Sequence, residues 1–360
     1  MPHQEASLAL LVHPHQLEVQ EFSSYALVVD ARSRAEFAVD HIADAINVPV
    51  RDASLQLPPK THASIDDSES GLPKALAAQV DSLDAAAPLL VYCDRGGLDS
   101  LVWAEPLRSL GRHVDVLPGG WINYRRWVTA GLEILPRSMR LLRLFGAPGS
   151  ATQRVLAALA GSGHQVIDMA SVSGLGIAPG VPMSARTRLT QSGFETRLLD
   201  ALRTMDTGRE VWIAHSEFTP ADLSWPPALR SALNRASTVR LDVPLAVRVR
   251  AWRNELKAAA ITGEGLIASF KAVKPAIDAT MLDKWRRTFK DHGIEALLAA
   301  IVVGFIDASF VPQETDQVNS PPLQVLSVKS LSVASLAKAT ADLSLQSPVE
   351  LRAGNGSISP

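Results

Sequence analysis

The stretch Pro88-Leu-Leu-Val-Tyr-Cys93-Asp-Arg-Gly-Gly97 indicates how the first third of the chain folds. Its apolar run is typical of a buried β-strand, and the two glycines end that run. Residues 98–110 then show helical spacing, so the stretch predicts a strand, a tight turn and a helix in that order. Cys93 lies at the point where the strand ends.

Similar apolar runs alternate with helical patterns on both sides of this stretch. Residues 25–30, 45–50 and 114–117 are the other predicted strands, and a polar segment at 52–72 is rich in Ser, Asp, Pro and Thr. Strands that alternate with helices indicate an α/β domain with a parallel sheet. We expect this first domain to cover residues 1–135.

The rest of the chain predicts a second α/β domain, a helical extension and a tail. The second domain is expected at 136–262 and the helical extension at 263–311. The tail, 312–360, is rich in Ser, Pro and Leu, and we expect it to be poorly ordered. The predicted strands of the second domain are residues 139–145, 165–169, 210–214 and 238–243.

The composition excludes several classes of protein. The chain has 360 residues, of which 47% are hydrophobic, and its 35 basic and 37 acidic residues nearly cancel, so net charge gives no reason to expect a nucleic-acid or membrane partner. The longest apolar stretch, 296–306, is too short to span a bilayer. A single cysteine excludes an internal disulfide and a multi-cysteine zinc site. We expect no metal site and a cytoplasmic location.

The residues after Cys93 form a turn that suits an anionic sulfur. Gly96 and Gly97 let the backbone curl so that several amide N–H groups point at one place, and the following helix adds the positive end of its dipole. Such a cradle stabilises a thiolate or a persulfide. Arg95 adds a cation, while Asp94 acts in the opposite direction. A buried cysteine that only packs at a strand end is the alternative explanation.

Three segments of the first domain resemble the signature motifs of rhodanese domains. Residues 30–49 contain Asp-x-Arg, Glu-Phe, His-Ile and Ala-x-Asn-x-Pro, residues 91–100 contain the cysteine loop, and residues 116–121 read Val-Leu-Pro-Gly-Gly-Trp. In rhodaneses the loop cysteine takes up sulfur as a persulfide and passes it to a nucleophilic acceptor. The resemblance implies that Cys93 is the carrier and that its cradle consists of the backbone amides of Asp94, Arg95, Gly96, Gly97 and Leu98.

The cysteine loop also resembles that of one particular family, the tRNA 2-selenouridine synthases. The shared pattern is Cys-x-Arg-Gly-Gly-x-x-Ser, followed by Gly-Gly-aromatic and a P-loop-like segment. That family joins a rhodanese domain to a P-loop domain and replaces the sulfur of wobble 2-thiouridine in tRNA by selenium. The resemblance weakens from residue 25 to residue 310. It implies tRNA as a partner, selenophosphate or a sulfur donor as co-substrate, geranyl diphosphate as a further ligand, and no tightly bound cofactor.

The second domain departs from the family at its P-loop. A working P-loop reads Gly-x4-Gly-Lys-Ser/Thr, in which the lysine reaches the phosphates and the hydroxyl binds magnesium. Here Gly146 is followed by Ala-Thr-Gln at 151–153, so the lysine is absent. Gly149 and Ser150 remain as candidates for a relic phosphate-binding turn at a helix N-terminus. An ordinary turn between a strand and a helix is the favoured alternative.

Other charged segments of the family are also missing. Its His-Arg-Gly-Ser stretch appears here as Gly-Leu-Gly-Ile at 174–177, and its Glu-Asp-Glu-Ser segment as Ala-His-Ser-Glu at 214–217. In the cysteine loop, Asp99 stands where the family has a second arginine. Since the losses concentrate on charged residues while the apolar framework remains, the chain resembles a degenerate relative.

Two groups of basic residues are candidates to contact tRNA phosphates, and three tryptophans near them are candidates to stack on bases. For the basic residues, solvated helix faces and ion pairs are the commoner explanation. For the tryptophans, packing between domains is an equally good explanation. The residues are Arg125, Arg126, Arg137, Arg140 and Arg143; Arg248, Arg250, Arg253 and Lys257; and Trp121, Trp127 and Trp252.

Three hypotheses about function follow from these residues. The first is a sulfur or selenium transferase related to the synthases, with Cys93 as the carrier. The second is a non-catalytic tRNA-binding or scaffold relative, because Thr152 stands where the P-loop lysine would be. The third is a simple sulfurtransferase that needs only the first domain.

Overall fold

The computed structural model describes residues 19–50, 72–147, 149–173, 189–214, 223–270, 277–307 and 324–344. The chain divides into two compact units, each with its own parallel sheet. The first unit contains Met1–Leu132 and Thr190–Arg203, and the second contains Glu133–Leu189 and Thr204–Pro360. The predicted α/β fold class with parallel sheets is confirmed.

The sheet of the first unit has four parallel strands. They are β1 (Leu27–Asp30), β2 (Ile46–Asn47), β3 (Leu89–Tyr92) and β4 (Val114–Val116), in the order β2-β1-β3-β4. Every residue of β1 and β3 is buried, which is typical of the central strands of a parallel sheet. Leu27 pairs with Leu89 and Asp30 with Tyr92, so the carboxyl ends of β1 and β3 lie side by side.

One 3-10 helix and four α-helices accompany these strands in the chain. They are Val19–Ser24, α1 (Arg34–Val39), α2 (Lys74–Asp81), α3 (Leu98–Ser109) and α4 (Gly120–Ser138). A capping box between Ser33 and Glu36 starts α1. The sequence did not predict α4, which begins at the Gly-Gly-Trp motif. The first segment of the first unit ends at Leu132, and α4 continues past this residue to Ser138.

The sheet of the second unit has five parallel strands. They are β5 (Arg140–Gly146), β6 (Gln165–Asp168), β7 (Glu210–Ala214), β8 (Ser237–Asp242) and β9 (Gln324–Ser327), in the order β6-β7-β5-β8-β9. Strands β6 and β7 lie on one side of β5, whereas β8 and β9 lie on the other. Such a switch in direction leaves a crevice at the carboxyl ends of the strands, where the turn after β5 lies.

The helices of the second unit include the predicted helical extension. Before it come α5 (Thr152–Gly161), α6 (Met169–Val172), α8 (Pro227–Arg235) and α9 (Leu245–Ala258). The extension contains α10 (Gly263–Phe270), α11 (Ala279–Ile301) and a π-helical turn, Val302–Ile306. Trp252 of α9 packs with these helices in one buried cluster, together with Leu266, Phe270, Trp285 and Leu298.

Helix α7 (Gln191–Arg203) belongs to the first unit, although it lies between β6 and β7 in the chain. The Arg125 side chain of α4 donates to the carboxylate of Glu195 and, at 3.1 Å, to the hydroxyl of Thr196. That hydroxyl donates in turn to the Asp40 carboxylate at 2.9 Å. The first unit therefore contains a helix that the predicted border at residue 135 places in the second domain.

Part of the predicted poorly ordered tail is a regular part of the second unit. Within residues 312–360, β9 pairs with β8, and helix α12 (Val333–Ser344) packs against α5. The apolar residues Leu326, Val328, Leu336 and Leu343 join the same buried cluster as β5 and β8. The expectation of poor order is therefore wrong for 324–344, because a Ser- and Leu-rich segment can still bury an apolar stripe. No helix among the described residues meets the length and hydropathy needed to cross a membrane.

Glu255 of α9 predicts a pH dependence of stability. Burial raises the pKa of this carboxyl from 4.5 to about 7, against the opposing charge of Arg154. Between these values the native state holds a proton that the unfolded chain has released, so the free energy of unfolding falls as pH rises from 4.5 to about 7. The Glu255→Gln variant lacks this fall, and we expect it to be more stable at pH 8 by roughly 1 to 3 kcal/mol.

Urea unfolding followed by circular dichroism at about pH 5 and pH 8 measures this difference. The matched control is Glu264→Gln on the exposed surface of α10. If both variants lost stability between the two pH values as the wild type does, burial of Glu255 would not be the cause.

Candidate active site around Cys93

Cys93 lies directly after the carboxyl end of β3, in the middle of the first sheet. Its side chain is 5% exposed, and its thiol is free. Because β1 and β3 are parallel and in register, the segment after Asp30 lies next to this cysteine. The carboxyl ends of parallel strands are where α/β proteins usually place their sites, and Cys93 lies at such an end in this sheet.

The N-terminus of α4 holds the cysteine loop. The backbone N–H of Trp121 donates to the Cys93 carbonyl at 2.8 Å, and that of Ile122 donates to the Asp94 carbonyl at 3.1 Å. On the other side of the loop, the Gly97 N–H donates to the Cys93 Sγ at 3.3 Å. The loop carbonyls are thus fixed by α4, and an amide of the loop is left to face the sulfur.

The five residues predicted to form the cradle play different parts. Gly97 supplies the hydrogen bond to sulfur and is the N-cap of α3, so the positive end of that helix follows the cysteine. Gly96 has a positive φ of 66°, which allows the tight turn. Asp94, Arg95 and Leu98 are exposed, and within the described residues their amides do not donate to Sγ.

A buried polar network supports the carboxyl ends of β1 and β3. Arg32 donates to the Asp30 carboxylate at 2.6 Å, and its guanidinium lies 3.9 Å from the centre of the Trp121 ring. The Tyr92 hydroxyl donates to the same carboxylate at 2.6 Å. Burial and the Asp30 charge raise the pKa of Tyr92 well above its ordinary value, so this hydroxyl remains a donor. The Asp-x-Arg motif identified Asp30 and Arg32 in the sequence. It did not show that the Arg32 guanidinium packs on Trp121, whose backbone N–H is bonded to the Cys93 carbonyl.

Two carboxyl groups of the first unit lie near each other, that of Asp94, the residue after Cys93, and that of Glu36 in α1. Burial, and then the negative charge of Glu36 in α1, raises the pKa of Asp94. The hydrogen bond from Ser33 lowers the pKa of Glu36. Glu36 is therefore the more acidic member of the pair, and Asp94 directly follows Cys93 in the chain.

Asp94 gives a prediction about the reactivity of the thiol. Asp94 directly follows Cys93, and a carboxylate near a thiolate repels it, so Asp94→Asn is expected to raise the rate of Cys93 alkylation by iodoacetamide at pH 7 by roughly threefold. Intact-mass spectrometry against time measures this rate. Asp81→Asn, at the exposed end of α2, removes the same charge away from the loop. Equal rates for the two variants would contradict the electrostatic role of Asp94.

The turn between β5 and α5 in the second unit retains some features of a phosphate-binding loop. Gly149 has a φ of 83°, and Ala151 has a φ of 52° where the motif has its second glycine. Ser150 is 2% exposed, and its hydroxyl has no hydrogen-bond partner among the described residues. Burial raises the pKa of Asp168 at the end of β6, while the nearby Gln153 side chain acts in the opposite direction.

Arg248 of α9 packs beside this turn, where a Cβ added at Gly149 would lie 3.9 Å from its Nε. Its guanidinium forms a two-pronged ion pair with Asp307, at 2.6 and 3.0 Å. The positive charge next to the turn is therefore matched by a carboxylate. Gly146 ends β5, and its neighbour Ser150 lies against it.

Most candidate contacts to tRNA are engaged within the protein. Arg125 pairs with Asp40 and Glu195, Arg137 with Glu133, Arg140 with Glu210, and Arg253 with Glu295. Arg143 and Trp252 are buried, so Trp252 does not stack on a base. The ion-pair explanation fits these residues, while Arg126, Arg250 and Lys257 remain exposed. The family segments at 174–177 and 215–217 lie outside the described residues.

Comparison with known proteins identifies the fold around Cys93. The family model of the rhodanese-like domain matches residues 15–126, which include all four strands of the first sheet and the cysteine loop. Residues 15–126 are therefore similar to rhodanese-like domains. The three signature segments that suggested this family in the sequence lie within the matched range.

Two curated relatives of the chain are tRNA 2-selenouridine synthases. The one from Shewanella frigidimarina (strain NCIMB 400) is 24% identical over 200 residues, which cover 53% of each chain. The one from Nitrosomonas europaea is 22% identical over 237 residues, covering 62% of this chain and 61% of the relative. The chain thus spans about half of the first relative and about three fifths of the second. The predicted resemblance to these synthases is confirmed as that of a diverged relative.

Proposed function

We propose that the chain is a sulfur or selenium transferase in which Cys93 carries the chalcogen atom. The observation that carries this proposal is the arrangement at Cys93: a free cysteine after β3, a Gly97 N–H directed at its sulfur and a loop fixed by α4. A persulfide is an anion near neutral pH and benefits from the same Gly97 N–H and helix dipole as a thiolate. The reduced cysteine that this requires favours a cytoplasmic location.

The transfer can be written as two displacements on sulfur. The Cys93 thiolate attacks the outer sulfur of thiosulfate, a new S–S bond forms, and the old S–S bond breaks with its electron pair leaving on sulfite. Cyanide then attacks the terminal sulfur of the Cys93 persulfide, and thiocyanate leaves while the thiolate is restored. Neither step needs an oxidant or a proton, and the loop stabilises the anion on both sides of each displacement.

Thiocyanate formation from thiosulfate and cyanide tests this function. The full chain is expected to turn over, and Cys93→Ala to fall to the rate of the reaction without protein. Asp81→Asn, at the surface of α2, serves as a control variant and is expected to keep the wild-type rate. Activity of Cys93→Ala at the wild-type rate would refute the assignment of Cys93.

By resemblance to the relatives, we propose tRNA as the acceptor, with selenophosphate or a sulfur donor as co-substrate and geranyl diphosphate as a further ligand. The names of the two relatives support the tRNA reaction, while the chain spans only part of their length. Nucleoside analysis of tRNA from a strain that lacks its own synthase and expresses this chain tests the proposal. Appearance of 2-selenouridine is expected, and its absence would exclude the full reaction.

A second candidate function is favoured by the turn after β5. Thr152 stands at the lysine position of the motif, and the Arg248 charge beside the turn is already matched by Asp307. These features favour a relative whose degenerate P-loop no longer binds a nucleotide, leaving a simple sulfurtransferase or a non-catalytic relative. Thiocyanate formation without 2-selenouridine indicates the simple sulfurtransferase, and the absence of both indicates the non-catalytic relative.

A further inference from the structure

A cavity of about 160 Å³ lies in the first unit, and Cys93 is not among the residues that line it. It is lined by residues that lead into the amino end of β1, including Phe22 and Leu27. Cys93 follows the carboxyl end of β3, and the two strands are parallel and in register. Cys93 is not among the lining residues, so the cavity is distinct from the proposed transferase site, although its Tyr124 stacks on Trp121.

Aromatic side chains form one wall of this cavity. The rings of Phe22 and Tyr124 meet edge to face at 5.5 Å, and Trp127 lies 5.3 Å from Phe22 and 5.4 Å from Tyr124. Phe22 and Tyr124 are buried, whereas Trp127 is half-buried. The negative faces of such rings attract cations.

The charged residues of the lining leave an excess of negative charge. Asp44 is exposed, and Asp200 of α7 is half-buried. Arg203 also lines the cavity, and its Nε donates to Asp200 Oδ1 at 2.9 Å. Among the described residues no other donor reaches Asp200, so Oδ2 is available to a ligand. Burial, with the charge of Asp44 added, raises the pKa of Asp200 against the effect of Arg203.

We propose that this cavity binds the head group of a small organic cation with N–H donors, such as a guanidinium group. Its donors would bond to Asp200 Oδ2 and its charge would offset Asp44, while its flat face packs against Trp127. An apolar cavity of about 150 Å³ holds a benzene ring, so a planar group of similar size fits the volume. An anion is disfavoured by the two carboxylates, and an apolar ring leaves Oδ2 of Asp200 without a donor.

Binding of methylguanidinium chloride to the full chain tests the proposal. Ligand-observed saturation-transfer NMR at constant ionic strength is expected to show saturable binding, while neutral N-methylurea of the same shape shows none. Asp200→Asn is expected to raise the Kd by about tenfold or more, because it removes a charge-assisted hydrogen bond. Asp81→Asn, which removes the same charge outside the cavity, leaves the Kd unchanged.

Trp127→Leu provides a second variant, since it keeps an apolar side chain but removes the aromatic face. It is expected to weaken binding as well, and it decides the question if Asp200→Asn does not fold. Three results would overturn the proposal: no saturable binding of methylguanidinium, equal binding of N-methylurea, or wild-type affinity in the folded variants. Because thiocyanate formation depends on Cys93 and not on this cavity, the two proposals fail independently.

Discussion

The Gly120→Ala variant is expected to take up no sulfur from thiosulfate, although it keeps Cys93. A Cβ added at Gly120 would lie 2.2 Å from the Cys93 carbonyl oxygen, 2.5 Å from the Gly96 nitrogen and 2.8 Å from the Arg95 nitrogen. All three are backbone atoms of the cysteine loop, so the loop itself has to move. Gly120 also has a φ of 53°, which an alanine adopts only with strain.

The matched control is Gly111→Ala. Gly111 also has a positive φ, 79°, but a Cβ there would meet nothing within 4 Å. It therefore carries the same kind of backbone strain without touching the cysteine loop. Intact-mass spectrometry after incubation with thiosulfate compares the two variants. Equal uptake of sulfur by both would show that the close approach of α4 to the loop does not matter.

A fragment of residues 1–138 is expected not to fold stably, because it lacks α7. Phe194, Leu198, Leu199 and Leu202 of this helix are at most 1% exposed, and each buried apolar side chain of this size contributes about 1.5 to 3 kcal/mol. Their sum is comparable with the whole stability of a typical domain, about 5 to 15 kcal/mol. Loss of α7 also leaves Arg125 and Asp40 without Thr196.

The control is the same fragment joined through a flexible Gly/Ser linker to residues 189–204. The linked fragment restores α7 without the second unit, and we expect it to melt cooperatively in circular dichroism. The fragment that ends at residue 138 is expected to show no cooperative transition. Identical melting of the two fragments would mean that α7 is not an integral part of the first unit.

The position of Cys93 at a strand end and most strands were predictable because their signals are local. The run from Pro88 to Gly97 contains a strand, its end and the turn within ten residues, and the structure places Cys93 at that turn. The Asp-x-Arg and Gly-Gly-Trp motifs likewise marked the two segments that meet at the loop. The motifs did not show that backbone N–H groups at the start of α4 donate hydrogen bonds to the carbonyls of the cysteine loop.

Features that depend on distant contacts were not predictable in the same way. Helix α7 joins the first unit through contacts of Arg125 with Glu195 and Thr196, which lie about 70 residues apart in the chain. Strand β9 follows a long segment without a strand pattern and is recognised as a strand only by its pairing with β8. Neither partner leaves a periodic signal in the sequence, because pairing is decided by the assembled sheet.

The most direct test of chalcogen transfer by Cys93 is the intact mass of the full chain after incubation with thiosulfate and removal of small molecules. We expect a gain equal to one sulfur atom, located by tandem mass spectrometry on the peptide that contains Cys93 and lost again on treatment with cyanide. The Cys93→Ala variant is expected to gain nothing. An unchanged mass in the wild type, or the same gain in Cys93→Ala, would contradict the claim that Cys93 carries the chalcogen.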